Sequence, residues 1–353
     1  MKGVLKRPKC SLVAALTAAS ALWMVHRQRK YPLEREYGLA SCMLLPRWVA
    51  SLPAARLGNA ILKRLPLPEV SIGVTRSRRW IPTEDGRPMP LTIFDGTGGL
   101  DDAPCLIYFH GGAFLFEAAP YIYCNVAELA RMAQCKVVMV HYRTAEHKAF
   151  PGPFFDCRAA LWYTWQHHAE LGIDPTRMAV GGDSAGAALA AACSLWARDE
   201  TELDLCFQLL IYPVTDARMA DPALCHDTDT PLWNAILNRR MWKLYLRDGV
   251  PLTRGYASPM EALDHRRLPA AYIEVAAFDC LRAEGLAYAA VLRHDGASVQ
   301  LEQPAGTFHG FDAFQRAPMR QWMLLKRARA LRCAFARATK DNRLDAQTPE
   351  VKR

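Results

Sequence analysis

Residues 181–186 read Gly-Gly-Asp-Ser-Ala-Gly, set between a short apolar run at 177–180 and a small-residue stretch at 187–196. The run has the character of a strand and the stretch that of a helix. A turn this tight between them leaves no room for side chains at its flanks, which Gly182 and Gly186 satisfy. In a strand–turn–helix setting the G-x-S-x-G pattern puts a serine, Ser184, on a strained turn at the strand end. The free N–H groups of the helix N-terminus lie beside it. Such a turn needs a sheet whose strands feed directly into helices. A serine alone is a weak nucleophile, so a base and a site for a developing oxyanion must come from elsewhere in the chain.

The chain supplies the alternation that this turn demands. Strands are predicted at 91–94, 105–109, 136–140, 177–180, 207–212, 271–275 and 299–302, and helices at 125–133, 154–171 and 282–293. Near-continuous apolar strands alternating with helices predict an α/β protein with a mostly parallel central sheet, covered by helices on both faces. The domain reading is a basic and apolar N-terminal segment at 1–30, cap helices at 31–79, a catalytic domain at 80–338 and a polar, disordered tail at 339–353. Pro46, Pro53, Pro66 and Pro68 break the second of these into short helices. Within the catalytic domain, 213–257 has helical stretches (233–247) and no clear strand, and reads as a cap insertion. The final helix, 316–337, is basic, with one apolar face buried and one solvated.

Charge and cysteines narrow the function classes. The net charge of +9 sits at the ends: residues 1–30 carry seven Lys/Arg and no acid, and 316–353 carry eleven against three. No nucleic-acid-binding motif accompanies this basicity, so nucleic acid is not an expected partner. The uncharged run from Cys10 to Val25 is 16 residues long, just under the ~17–25 that span a bilayer. It fits a packed helix, a signal segment or a membrane anchor, and leaves a membrane surface as a candidate partner. Eleven cysteines at irregular spacing, with no C-x-x-C pair, argue against a zinc site or a disulfide framework and for a cytoplasmic chain. No metal or cofactor is expected, and the sequence leaves the oligomeric state open.

His309, in a loop after the 299–302 strand, is the candidate base, with Gly310 giving the backbone freedom to bring the imidazole over the serine. The acid belongs between serine and base, at a strand end. Asp279, after the 271–275 strand, fits that place, with Asp264 and Glu284 as weaker rivals. The oxyanion site is expected at Gly111 and Gly112, after the 105–109 strand, with the N–H of Ala185 as a third donor. His110 would orient that loop, and Asp183 is read as a structural acid at a helix start.

These residues resemble the hormone-sensitive lipase family of α/β-hydrolases, in particular its bacterial carboxylesterases. His110-Gly111-Gly112-Ala113 is similar to the family's H-G-G-G, and Gly182-Asp183-Ser184-Ala185-Gly186 matches G-D-S-A-G. Tyr142-Arg143 with Ala145, Glu146, His147, Phe150 and Pro151 resembles Y-R-x-A-P-E-H…F-P. Asp279 to Glu284 resembles D-P-L-x-D-E, and His309-Gly310-Phe311 resembles H-G-F. Ala113 replaces the usual third glycine but keeps an N–H; Cys280 replaces a proline and Ala283 an acid. The resemblance, from about residue 80 to 314, implies an α/β-hydrolase fold and cofactor-free hydrolysis of short- to medium-chain carboxylic esters. Ser184, Asp279 and His309 would form its triad, acting on a small-molecule ester. An amidase, a peptidase and a membrane-anchored deacetylase are alternatives on the same fold. A catalytically silent binding protein would lack a triad member, and all three are present.

Overall fold

A computed structural model describes the backbone of residues 8–347 and the side chains of residues 17–340. The chain opens with helix α1 (Pro8–Lys30), two short 3-10 segments and α2 (Leu52–Leu62). Strands β1 (Thr75–Pro82), β2 (Pro88–Asp95) and β3 (Ala103–Phe109) follow, then α3 (Pro120–Ala133), β4 (Lys136–Val140) and α4 (Gly152–Gln166). Next come β5 (Ile173–Asp183), α5 (Ala185–Glu200) and β6 (Phe207–Ile211). After β6 lie α6 (Ala235–Tyr245) and the short α7 (Arg254–Ala257), then β7 (Ala271–Glu274), α8 (Arg282–His294), β8 (Val299–Glu302) and α9 (Pro318–Gln347).

The eight strands form one sheet in the order β1-β2-β4-β3-β5-β6-β7-β8. β2 runs antiparallel to β1 and β4, and every later pairing is parallel. Strand alternation divides the core between two faces. Cys105, Ile107 and Phe109 pack on one side with Leu161, Leu195 and Tyr288 of α4, α5 and α8. Leu106 and Tyr108 pack on the other with Leu129 of α3 and Leu324 and Leu331 of α9. All seven residues of β3 are buried, as a strand covered on both faces must be. Helix α5 is buried from Ala185 to Ala197, and its alanines let it approach the sheet closely behind the serine turn.

Four expectations need correction. Residues 75–79, expected at the end of the cap helices, belong to β1. This outermost strand leaves Thr75 to Arg78 exposed, and a charged edge strand carries no apolar signature to read. The helix expected over 233–247 is shorter, because Asn234 caps it: its side chain accepts from the N–H groups of Ile236 and Leu237. The tail expected from 339 begins inside α9, which continues to Gln347; residues 348–353 lie outside the described residues, as do 1–7 of the N-terminal segment. The basic residues of α9 are not all on its solvated side, since Arg320 and Arg327 are buried. Arg327 donates to Glu274 at 2.7 and 2.9 Å and to Asp312 at 3.0 Å.

Candidate active site

Ser184 stands between the end of β5 and the start of α5 with φ 54° and ψ −119°, a strained region for a residue with a Cβ. The surroundings hold it there. Its N–H donates to Ile211 O at 2.8 Å, and its carbonyl accepts from Ala187 and Ala188 at the start of the helix. A Cβ at position 186 would overlap the Phe109 carbonyl, so only glycine lets the turn pass β3 this closely.

The loops after β7 and β8 meet beside this turn. Phe278 and Phe308 form an isolated parallel bridge, and the Phe278 N–H donates to Thr307 O at 2.9 Å. The bridge sets the next residue on each loop face to face. Asp279 Oδ2 lies 2.8 Å from His309 Nδ1, and His309 Nε2 lies 2.9 Å from Ser184 Oγ. The structure thus brings Ser184, His309 and Asp279 into one hydrogen-bonded chain, with all three side chains buried. Asp279 Oδ1 is fixed by the N–H of Leu281 at 3.0 Å. Tyr212 meets the imidazole edge-on, ring centroids 4.8 Å apart, and Trp233 lies at 6.2 Å.

The rival carboxylates lie elsewhere. Asp264 pairs with Arg266 at 3.0 Å. Glu284 is buried on α8, where its Oε2 accepts from the N–H of Asp216 at 3.1 Å. Burial, with the nearby Asp216 charge, pushes the Glu284 carboxyl well above the usual carboxylate range.

The glycine loop departs from expectation at one position. The N–H of Gly111 donates to Asp183 Oδ1 at 3.0 Å, so it is committed and cannot serve as an oxyanion donor. A Cβ there would overlap that carboxylate. The N–H groups of Gly112, Ala113 and Ala185 have no such acceptor among the described residues. Among the described residues the free N–H groups thus lie at Gly112, Ala113 and Ala185, and Gly111 anchors the loop. Ala113 pays for its place with φ 57°, a left-handed conformation costing an L-residue roughly 1–2 kcal/mol. The loop is also held from behind. Gly112 O accepts from Leu115 and Phe116, and Tyr142 Oη donates to His110 O at 2.7 Å. His110 stacks on Tyr142 at 4.4 Å, with its Nδ1 2.7 Å from Gly111 O. Burial lowers its pKa and so favours the neutral ring.

Asp183 does more than begin a helix. It also accepts from Tyr108 Oη at 2.7 Å, and so ties the strand carrying Ser184 to the loop carrying the free donors. Burial and the Asp312 carboxylate push its pKa up to about 6. A buried carboxyl raised in this way is stabilising to the fold while protonated, and that contribution is lost as pH rises from about 4 to about 6. The shift corresponds to something on the order of 3 kcal/mol. Asp183→Asn is therefore expected to flatten the fall in stability over that window. Thermal unfolding of both proteins from pH 4 to 7 measures it, and parallel curves would show that Asp183 does not titrate there.

Sequence reasoning missed the support behind His309. Tyr212 Oη donates to Asp312 Oδ1 at 2.7 Å, and Asp312 pairs with the buried Arg327. The available signal was the register of α9: Arg320 and Arg327 fall on the same stripe as Met323, Leu324 and Leu331. Phe114 of the glycine loop stacks on Tyr245 of α6 at 3.8 Å and meets Trp242 at a tilt, 5.9 Å away, and all three rings are buried.

A mostly parallel sheet, a strained serine turn and a hydrogen-bonded Ser–His–Asp chain, its members in the sequence order Ser, Asp, His, define an α/β serine hydrolase. The family profile described as alpha/beta hydrolase fold matches residues 106–313, and the chain belongs to that family. Its relatives include Carboxylesterase NlhH of Mycobacterium tuberculosis, 32% identical over 284 residues, covering 77% of this chain and 88% of that protein. An arylesterase of Saccharolobus solfataricus is 30% identical over 252 residues, covering 69% and 79% of the two chains. Among solved structures, a bacterial heroin esterase superimposes with a TM-score of 0.75 at 35% identity, over 87% of this chain and 99% of that one.

Proposed function

We propose that the protein is a carboxylic ester hydrolase in which Ser184 is the nucleophile, His309 the general base and acid, and Asp279 the residue that orients the imidazole. The observation that carries this reading is the continuous chain Ser184 Oγ–His309 Nε2, His309 Nδ1–Asp279 Oδ2, at 2.9 and 2.8 Å. His309 accepts the serine proton as Oγ attacks the ester carbonyl carbon. Asp279 keeps the other ring proton on Nδ1 and stabilises the imidazolium. The oxyanion that forms is received by the N–H groups of Gly112, Ala113 and Ala185, which no acceptor among the described residues takes. Collapse breaks the bond to the alkoxide, which leaves with the proton from His309. Water then attacks the acyl-serine by the same route in reverse, releasing the carboxylic acid.

The segment between β6 and β7 acts as a cap in this reading. Trp233 of that segment lies 6.2 Å from His309, and its Trp242 and Tyr245 pack on Phe114 of the glycine loop. Bulky apolar groups this near the triad favour short to medium acyl chains, and the substrate is a small uncharged ester. Hydrolysis of p-nitrophenyl esters from acetate to laurate tests this. Turnover is expected to peak among the shorter esters and fall toward laurate. Absence of turnover on every ester would overturn the esterase reading, and a maximum at laurate would overturn the chain-length assignment.

A further inference from the structure

The N-terminal segment is built as a surface and not as a core. From Ala18 to His26 every residue of α1 except Met24 is exposed, although the sequence from Cys10 to Val25 contains no charge. An uncharged, exposed stretch such as 18–25 is stable in water only at a cost, and calls for an apolar surrounding. α2 repeats the pattern. Its buried contacts are Ala55 and Asn59, while Leu57 and Ile61 face outward, flanked by Arg56, Lys63 and Arg64. Among the described residues, twelve of the eighteen exposed large hydrophobic side chains fall between positions 22 and 72.

Charge identifies what covers this surface. Residues 1–72 carry twelve Lys/Arg against three Asp/Glu. Two copies of such a segment would repel each other across an isologous contact. An anionic bilayer surface offers both an apolar interior for the exposed rings and aliphatic chains and negative headgroups for the surplus cations. Among the described residues no helix is long and apolar enough to cross a membrane, so the contact is interfacial.

We infer that the segment from α1 to α2 docks the enzyme on an anionic phospholipid surface, with Leu22, Trp23 and Val25 of α1 and Leu57 and Ile61 of α2 entering the headgroup boundary. The same segment is clamped to the active-site loops. Arg27, Lys30 and Tyr31 all bond to Asp229 at 2.8–2.9 Å. Tyr31 packs edge-on against Phe278, beside Asp279, and Tyr37 against Phe308, beside His309. Docking therefore holds the site close to the bilayer, where esters dissolved in the lipid are concentrated. Lipid binding needs no catalysis; only the delivery of such esters rests on the hydrolase reading above.

Sedimentation of the full-length protein with phosphatidylcholine vesicles, and with vesicles also containing about 30% phosphatidylglycerol, tests the contact. Binding to the anionic vesicles is expected, weakened by salt. The pairs Leu22→Glu with Trp23→Glu, and Leu57→Glu with Ile61→Glu, are each expected to weaken it about tenfold or more. Turnover of soluble p-nitrophenyl acetate should be unchanged in both variants, which also shows that they fold. The inference is overturned if the wild type ignores anionic vesicles or if both pairs bind them as well as it does. It is equally overturned if the same substitutions instead dissolve a concentration-dependent dimer.

Discussion

Replacing Ser184 by alanine is expected to lower kcat on a p-nitrophenyl ester by on the order of 10⁵–10⁶ while leaving KM within a few-fold of the wild type. The hydroxyl is the atom that forms the bond, and no other nucleophile stands in its place. The buried hydroxyls of Thr215 and Ser258 are committed to the main chain: Thr215 Oγ1 donates to Glu284 O, and Ser258 Oγ donates to Thr215 O and accepts from the Ala217 N–H. His309 and the three N–H donors remain in the variant, so a small residual rate from positioned water is expected. The fold should survive. The backbone at 184 is held by the N–H bond to Ile211 and by the helix start, and alanine bears the same φ strain as serine. Unfolding that shifts by no more than about 1 kcal/mol would separate a chemical loss from a structural one. Wild-type-like turnover in this variant would remove Ser184 from the mechanism.

Asp279→Asn is expected to cost on the order of 10⁴ in kcat. The asparagine amide can donate to His309 Nδ1, which then has no proton, and the ring proton moves to Nε2. In that tautomer Nε2 faces Ser184 as a donor and cannot take its proton. Glu284→Gln is the paired control. Its carboxyl is pushed well above the usual range by burial and by Asp216, away from the charged form that a triad acid needs. The amide oxygen can still accept from the Asp216 N–H, and less than a tenfold change is expected. Steady-state rates of the two variants, measured side by side from pH 6 to 9, decide between the carboxylates. A severe loss in Glu284→Gln with a mild one in Asp279→Asn would reverse the assignment.

Much of the site was legible because it is written in local patterns. Gly182, Ser184 and Gly186 specify a turn that few sequences permit, and Asp279 and His309 each follow a short strand. Chain order then selects the acid, which the bridge between Phe278 and Phe308 explains afterwards. What escaped was decided by side chains far apart in sequence. Gly111 read as a free donor because nothing local to it shows that Asp183, 72 positions on, takes its N–H. Arg327 read as one more solvated cation of a basic helix because its partners Glu274 and Asp312 lie on other elements. Strand β1 escaped for a different reason: its arginines keep an edge from pairing further and at the same time hide the apolar alternation by which strands are recognised.

The most direct test of the central claim is to trap the acyl-enzyme. The protein is mixed with p-nitrophenyl acetate, quenched in acid within the burst phase, digested and mapped by mass spectrometry. A single acetyl group on Ser184 is expected, absent in Ser184→Ala and accumulating far more slowly in Asp279→Asn. Ester turnover with the acetyl group on another residue, or with no acyl-enzyme at any quench time and no burst, would contradict the mechanism.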